Sequence, residues 1–161
     1  MAVTTQKSTE YTNITASPPT IQDSQVYQGK LRVAYFKHTQ SGAGDATSSA
    51  AVAWLPPGKV RLIGPLSTLY VNWTTVSATM DVGWDAYTDI DGAAVAADPN
   101  GIDDGFSVDT AGQFTLGSAL TATGYTKVFE SQDGVVIRLT SQDTAIADAD
   151  VAAGFLVYVV E

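Results

Sequence analysis

The sequence predicts an all-β fold: a two-sheet antiparallel β-sandwich of jelly-roll type, preceded by an extended N-terminal arm. Three observations predict it. Residues 77–84 alternate strictly, with Ala78, Met80, Val82 and Trp84 on one face and Ser77, Thr79, Asp81 and Gly83 on the other, the period of a strand resting one face on a core. About eight or nine short apolar runs recur between clusters of Gly, Pro, Asn and Asp, with almost no helical pattern and no internal repeat, a spacing that suits a sandwich. The last run, Gly154-Phe155-Leu156-Val157-Tyr158-Val159-Val160, is apolar on both faces, as a central strand between two layers must be.

Residues 1–28 stand apart from this pattern. They are rich in Thr, Ser and Gln, with Pro18-Pro19 in the middle, and the paired prolines favour extended chain over helix. Tyr11, Ile14, Ile21, Val26 and Tyr27 share no period. The segment is either a polar tail or an arm that lays these five residues as separate anchors onto a partner. The sandwich is expected over residues 29–161.

The first strand is expected over residues 31–38, where Leu31, Val33 and Tyr35 share a face. A small-residue loop follows over residues 40–49, and a second strand over residues 50–55. Residues 54–84 then read as three consecutive strands, divided by the turn Pro56-Pro57-Gly58 and the break Gly64-Pro65, and together they form the expected centre of one antiparallel sheet. Residues 85–105 are an acidic excursion full of turn chemistry, with one helical turn expected in the Ala-rich residues 93–97. Phe106, Val108, Phe114 and Leu116 re-enter a sheet. Strands at residues 125–130 and 135–140 flank Asp133-Gly134, a hairpin signal. Residues 144–153 read as loop. Met80, Val82, Ile137, Leu139, Phe155 and Val157 are the expected core.

The bulk chemistry narrows the function classes. In 161 residues the net charge is −9 and only 16% of residues are charged, which argues against nucleic acid or an anionic membrane as a partner, since both need clustered Lys and Arg. No apolar run approaches the roughly 20 residues of a membrane-spanning helix, and the N-terminus lacks the apolar core of a signal peptide, so synthesis in a cytoplasm is expected. The chain has no Cys, which removes disulfides, thiolate nucleophiles and Cys-bound metals. The sequons at Asn13 and Asn72 carry no weight without secretion.

Catalytic signatures are absent from the sequence. His38 is the only histidine and no Gly-x-Ser-x-Gly elbow accompanies it. Gly42-Ala43-Gly44-Asp45 lacks the Lys and the helix of a phosphate loop. Asp89, Asp91 and Asp98 open stretches that resemble calcium loops, because alternate hard oxygen ligands suit Ca²⁺; neither stretch continues with the required Gly and closing Glu, and Asp-Gly and Asn-Gly are ordinary turn formers. Trp54, Trp73, Trp84, Tyr70 and Tyr87 could line a sugar-binding face, although Trp84 continues the buried side of its strand. The expectation is a protein without enzyme activity and without a cofactor.

The stretches Leu55-Pro56-Pro57-Gly58-Lys59-Val60-Arg61-Leu62-Ile63 and Met80-Asp81-Val82-Gly83-Trp84-Asp85, with Asp104-Gly105-Phe106 and Phe114-Thr115-Leu116 further on, resemble a pattern in small virion proteins of tailed bacteriophages, over about residues 50–160. The resemblance is to head decoration, or cement, proteins. It implies a β-sandwich that sits on the outer capsid surface, binds the major capsid protein and forms a homo-oligomer, with a trimer favoured. A head-fibre base or tail component is the alternative within virions, and a carbohydrate-binding β-sandwich module the alternative from another class.

Overall fold

The polar and apolar alternation of this chain is resolved by pairing its first and last described strands and working inward. The structure, a computed structural model, describes residues 16–18, 30–73 and 75–161. Among these residues it contains the strands β1 (Leu31–Thr39), β2 (Ser49–Leu55), β3 (Gly58–Ile63), β4 (Thr68–Asn72), β5 (Thr79–Trp84), β6 (Tyr87–Thr88), β7 (Ala94–Val95), β8 (Asp98–Ser107), β9 (Gly112–Thr115), β10 (Thr126–Ser131), β11 (Val135–Ser141) and β12 (Val151–Val160), with 3-10 turns at Gly64–Leu66 and Ser118–Thr123. β1 pairs with β12, β2 with β11, β3 with β10, β4 with β9, β5 with β8 and β6 with β7, every pair antiparallel. The domain is therefore one long hairpin with its tip at β6–β7.

The hairpin is rolled so that β12 also pairs with β3 and β4, and β11 also pairs with β5. The result is a six-stranded sheet of β1, β3, β4, β9, β10 and β12 and a four-stranded sheet in the order β2-β11-β5-β8. First-to-last strand pairing rolled into two sheets is jelly-roll connectivity. The four-stranded sheet places Met80, Val82, Ile137 and Leu55 inward, and the six-stranded sheet answers with Val60, Leu62, Leu69, Val71 and Phe129, all at most 1% exposed. Each such burial stabilises by about 1.5–3 kcal/mol. Trp84 meets Phe129 edge-on at 5.3 Å between ring centroids, and the Lys127 ammonium lies 4.4 Å above the Trp84 ring.

Ser67 closes the seam between β3 and β4. One edge of β12 is shared by β4, up to Phe155, and by β3, from Tyr158. Between them the Val157 N–H faces no strand. It donates instead to Ser67 Oγ at 2.9 Å, while that hydroxyl donates to the Ile63 carbonyl at 2.8 Å. Ser67 is fully buried, so this one side chain satisfies a backbone donor that would otherwise be orphaned.

Several sequence expectations are corrected. β3, β4 and β5 are not neighbours in one sheet: β3 and β4 both lie on β12, and β5 belongs to the other layer. The break at Gly64-Pro65 takes the form of a 3-10 turn, and the connection after Asn72 crosses between layers. Asp133-Gly134 likewise joins strands of different sheets, β10 and β11, and is a corner, not a hairpin turn; Trp54 Nε1 donates to the Asp133 carbonyl and closes it. The acidic excursion holds a short ribbon and the ten-residue strand β8, and its Ala-rich segment forms β7, not a helical turn. β8 is poor in strand formers, and pairing with β5 overrides that weak propensity. β12 begins at Val151, inside the expected loop. Of the expected core, Met80, Val82, Ile137 and Leu139 are buried between the sheets; Val157 is buried too, but on the outer side of its sheet. Phe155 is only half-buried because it turns to the outer side of its sheet, beside Tyr35.

Candidate functional site

The outer face of the six-stranded sheet is where the molecule departs from a closed globule. On β1 the apolar set Leu31, Val33 and Tyr35 points away from the core, and these side chains are 58%, 44% and 80% exposed. Ala34 and Phe36, on the opposite face of the same strand, pack against the core. The partners of this stripe across the ladder are more covered, Val157 and Val159 being 6% exposed and Phe155 half-buried. Leu31, Val33 and Tyr35 stand opposite Val159, Val157 and Phe155, and the Tyr35 and Phe155 rings lie 5.8 Å apart. On β4, Tyr70 lies opposite Ala153 and is 44% exposed. Exposed apolar side chains gathered on one strand face, as Leu31, Val33 and Tyr35 are, mark an interaction site more often than an isolated one does.

Charge is divided between the two sheets. Arg32 and Lys37 lie on β1, Lys59 and Arg61 on β3, Lys127 on β10, and Lys30 immediately precedes β1; these are six of the eight Lys and Arg residues in the chain. The carboxylates beside them, Glu130 and Glu161, are taken up by β3: Lys59 lies 3.3 Å from Glu130 and 3.5 Å from Glu161, and Arg61 also pairs with Glu161. These partners hold the Lys59 ammonium above its usual range, the Glu130 hydrogen bond first. Among the described residues, Lys30, Arg32 and Lys37 form no ion pair.

The four-stranded sheet and its loops carry the acids. Several of these acids are structural. Asp103, 3% exposed, accepts the Gly117 and Ser118 N–H groups at 2.8 and 2.9 Å and so anchors the second 3-10 turn. Asp81 accepts the Gly105 N–H at 2.8 Å. Asp85 takes a two-pronged pair from Arg138, both contacts 2.6 Å, and that hydrogen bonding holds the Asp85 carboxyl below its usual range and the guanidinium above its own.

The residues singled out in the sequence fall in different places. Tyr11, Ile14, Ile21, Val26 and Tyr27 lie outside the described residues. Asp89 and Asp91 sit between β6 and β7, and Asp98 opens β8. The Asp89 carboxylate accepts the Asp91 and Ala93 N–H groups at 3.0 and 2.7 Å, acting as a turn acceptor, and among the described residues no group of three or more His or acidic side chains is gathered to hold a metal. Removing divalent cations with a chelator should therefore leave the melting temperature unchanged; a downward shift restored by added Ca²⁺ would show a site, since a ligand bound only to the native state stabilises it.

The aromatic residues form no single platform. Trp73 and Trp84 are 6% exposed and belong to the core, Trp54 is exposed on β2, and Tyr70 lies on the outer face of the other sheet. Tyr87 packs on Phe129, and burial, then Asp89 and Glu130, push its hydroxyl pKa up. His38 Nε2 lies 3.3 Å from Gln40 Oε1. An apolar depression of about 390 Å³ between the 3-10 turns is lined by Pro65, Thr115, Leu116, Gly117, Ser118 and Tyr125, with neither carboxylate nor imidazole in it.

Comparison with solved structures bears on the fold. A chain from the capsid of Ralstonia phage GP4 superposes with a TM-score of 0.62 at 19% identity, over 83% of this chain and 86% of that one. A chain from the cyanophage Pam1 capsid asymmetric unit superposes with a TM-score of 0.53 at 17% identity, over the same shares. The fold is one that phage capsids contain. At these identities the likeness is of architecture, and the expected jelly-roll sandwich is the architecture observed. No protein-family model and no curated protein sequence matches the chain. Among the described residues, no helix is long and apolar enough to cross a membrane.

Proposed function

We propose that this chain is a structural protein of a phage virion: a capsid decoration, or cement, protein that binds the outside of the major capsid shell as a homo-oligomer, most simply a trimer. The observation that carries this reading is the near end-to-end correspondence with capsid chains. The superposition runs over 83% of this chain and 86% of each of those chains, so the likeness takes in most of the sandwich. An outer sheet face that exposes Leu31, Val33 and Tyr35 supports a role in assembly.

The arm is the second part of the proposal. Residues 1–28 carry Tyr11, Ile14, Ile21, Val26 and Tyr27 without a periodic face; an extended segment with such anchors reaches along a seam between subunits, and repetition around a shell multiplies weak contacts. Deleting residues 1–20 should leave the melting temperature little changed while abolishing or strongly weakening cosedimentation with undecorated capsids. Equal binding by truncated and full-length protein would assign the contact to the sandwich alone. Mass spectrometry of separated heads and tails tests the wider reading, and recovery of the protein only with tails would overturn it.

A further inference from the structure

We infer that the open edge of β1, together with its outward apolar stripe, receives an extended segment of the shell protein as an added strand, with apolar side chains at alternate positions and carboxylates near both ends. This rests on the capsid-binding reading above and names the chemistry of the partner.

The geometry of the edge is the first reason. β1 runs for nine residues, about 30 Å of strand, and pairs only with β12. Its other edge has no ladder among the described residues, and a row of backbone donors and acceptors of that kind is what strand addition uses. An added strand would lay every second side chain beside Leu31, Val33 and Tyr35 on the outer face. That would cover the most exposed apolar stretch of the sheet.

Charge is the second reason, and it selects the occupant. Lys30 and Lys37 flank the stripe, while Arg32 lies within it in sequence but on the opposite face of the strand; β1 has no carboxylate and these three cations form no ion pair among the described residues, on a chain whose net charge is −9. The remaining free edges of this protein do not complement it. A second β1 would bring cations to cations. β2 and β9 carry no carboxylate. Glu130 of β10 is already paired with Lys59. β8 is acidic, but its pairing with β5 shifts register twice and it contains Pro99, features that spoil an edge for further pairing. No edge among the described residues complements β1, and the complementary strand is assigned to a different protein.

The experiment uses the full chain and undecorated capsids as the probe, in cosedimentation titrations of wild type, the double variant Val33→Asp/Tyr35→Asp, and Lys37→Glu. These side chains are exposed, so melting temperatures should stay near wild type. Binding should weaken by about tenfold or more for the double variant, and several-fold for Lys37→Glu with a flatter salt dependence. Wild-type binding should itself weaken between about 0.05 M and about 0.5 M salt, a result that needs no variant. Wild-type binding with undiminished binding by both variants would overturn the inference and leave the decoration reading standing. No binding by wild type would remove the decoration reading itself. Variants that bind capsids normally but fall to a smaller oligomer in sedimentation velocity would also overturn it, and would assign the face to a second copy.

Discussion

Gly83→Ala should leave no folded protein to purify. A Cβ at residue 83 would stand 1.9 Å from the Asp98 carbonyl oxygen and 2.3 Å from the Pro99 carbonyl carbon. Both obstacles are backbone, so no side chain can swing aside. β5 cannot retreat either, because its other edge is held by β11 from Ile137 to Ser141. Relief requires tearing β8 from β5. The cost should exceed about 4 kcal/mol, the range of the most damaging single substitutions, out of a typical stability of about 5–15 kcal/mol. Gly124→Ala is the matched control. It has φ of +68° but nothing within 4 Å of its would-be Cβ, so only the left-handed backbone penalty of about 1–2 kcal/mol applies. Soluble Gly83→Ala protein melting within a few degrees of wild type would show that the close passage of β5 and β8 is wrong.

Val82→Asp is the second large effect, with a different cause. Val82 is 1% exposed and sits across the ladders from Leu139 and Asp103. An aspartate there would be buried without a partner, opposite a carboxylate already committed to the Gly117 and Ser118 N–H groups. Burial and like-charge opposition add, and the loss should be several kcal/mol, read as an unfolded circular-dichroism spectrum at neutral pH. Val82→Ala separates volume from charge: it should stay folded, with a urea midpoint lowered by lost packing alone. A folded Val82→Asp protein would mean that the strand faces the other way.

Much of this architecture was legible in the residues, and the illegible parts share a physical reason. Alternation along residues 78–84 correctly placed Ala78, Met80, Val82 and Trp84 inward, and the two-sided apolar run of β12 marked a strand central in its sheet, although its Phe155, Val157 and Val159 face lies on the outer side and not between the two layers. Period two says which residues share a face; it does not say which sheet the strand joins. That is why β5 was grouped with β3 and β4, and why Asp133-Gly134 read as a hairpin. β8 was hidden because Asp, Asn, Gly and Pro do not announce a strand that tertiary pairing imposes. The outward stripe on β1 was visible as a pattern, but Ala34 and Phe36 offered a second apolar face on the same strand, and only packing against the core chose between them. The acidic triplet and the dispersed aromatics show the converse: residue types that suit a site do not constitute one until the fold brings them together.

The nested pairing has a kinetic consequence. Contacts close to the tip, between β6 and β7, join residues separated by only a few positions, whereas β1 must find β12 more than a hundred residues away. Loop-closure entropy grows with that separation, so assembly should advance from the middle of the chain toward its ends, and slowly, as in other folds dominated by distant contacts. During synthesis β12 is the last of the twelve described strands to emerge, yet β1, β3 and β4 all hydrogen-bond to it. Until it arrives, those strands lack their shared neighbour, and the six-stranded sheet cannot exist in its final order. The surface proposed to meet the shell is therefore completed only when the last strand is in place, which keeps a partly made chain from docking.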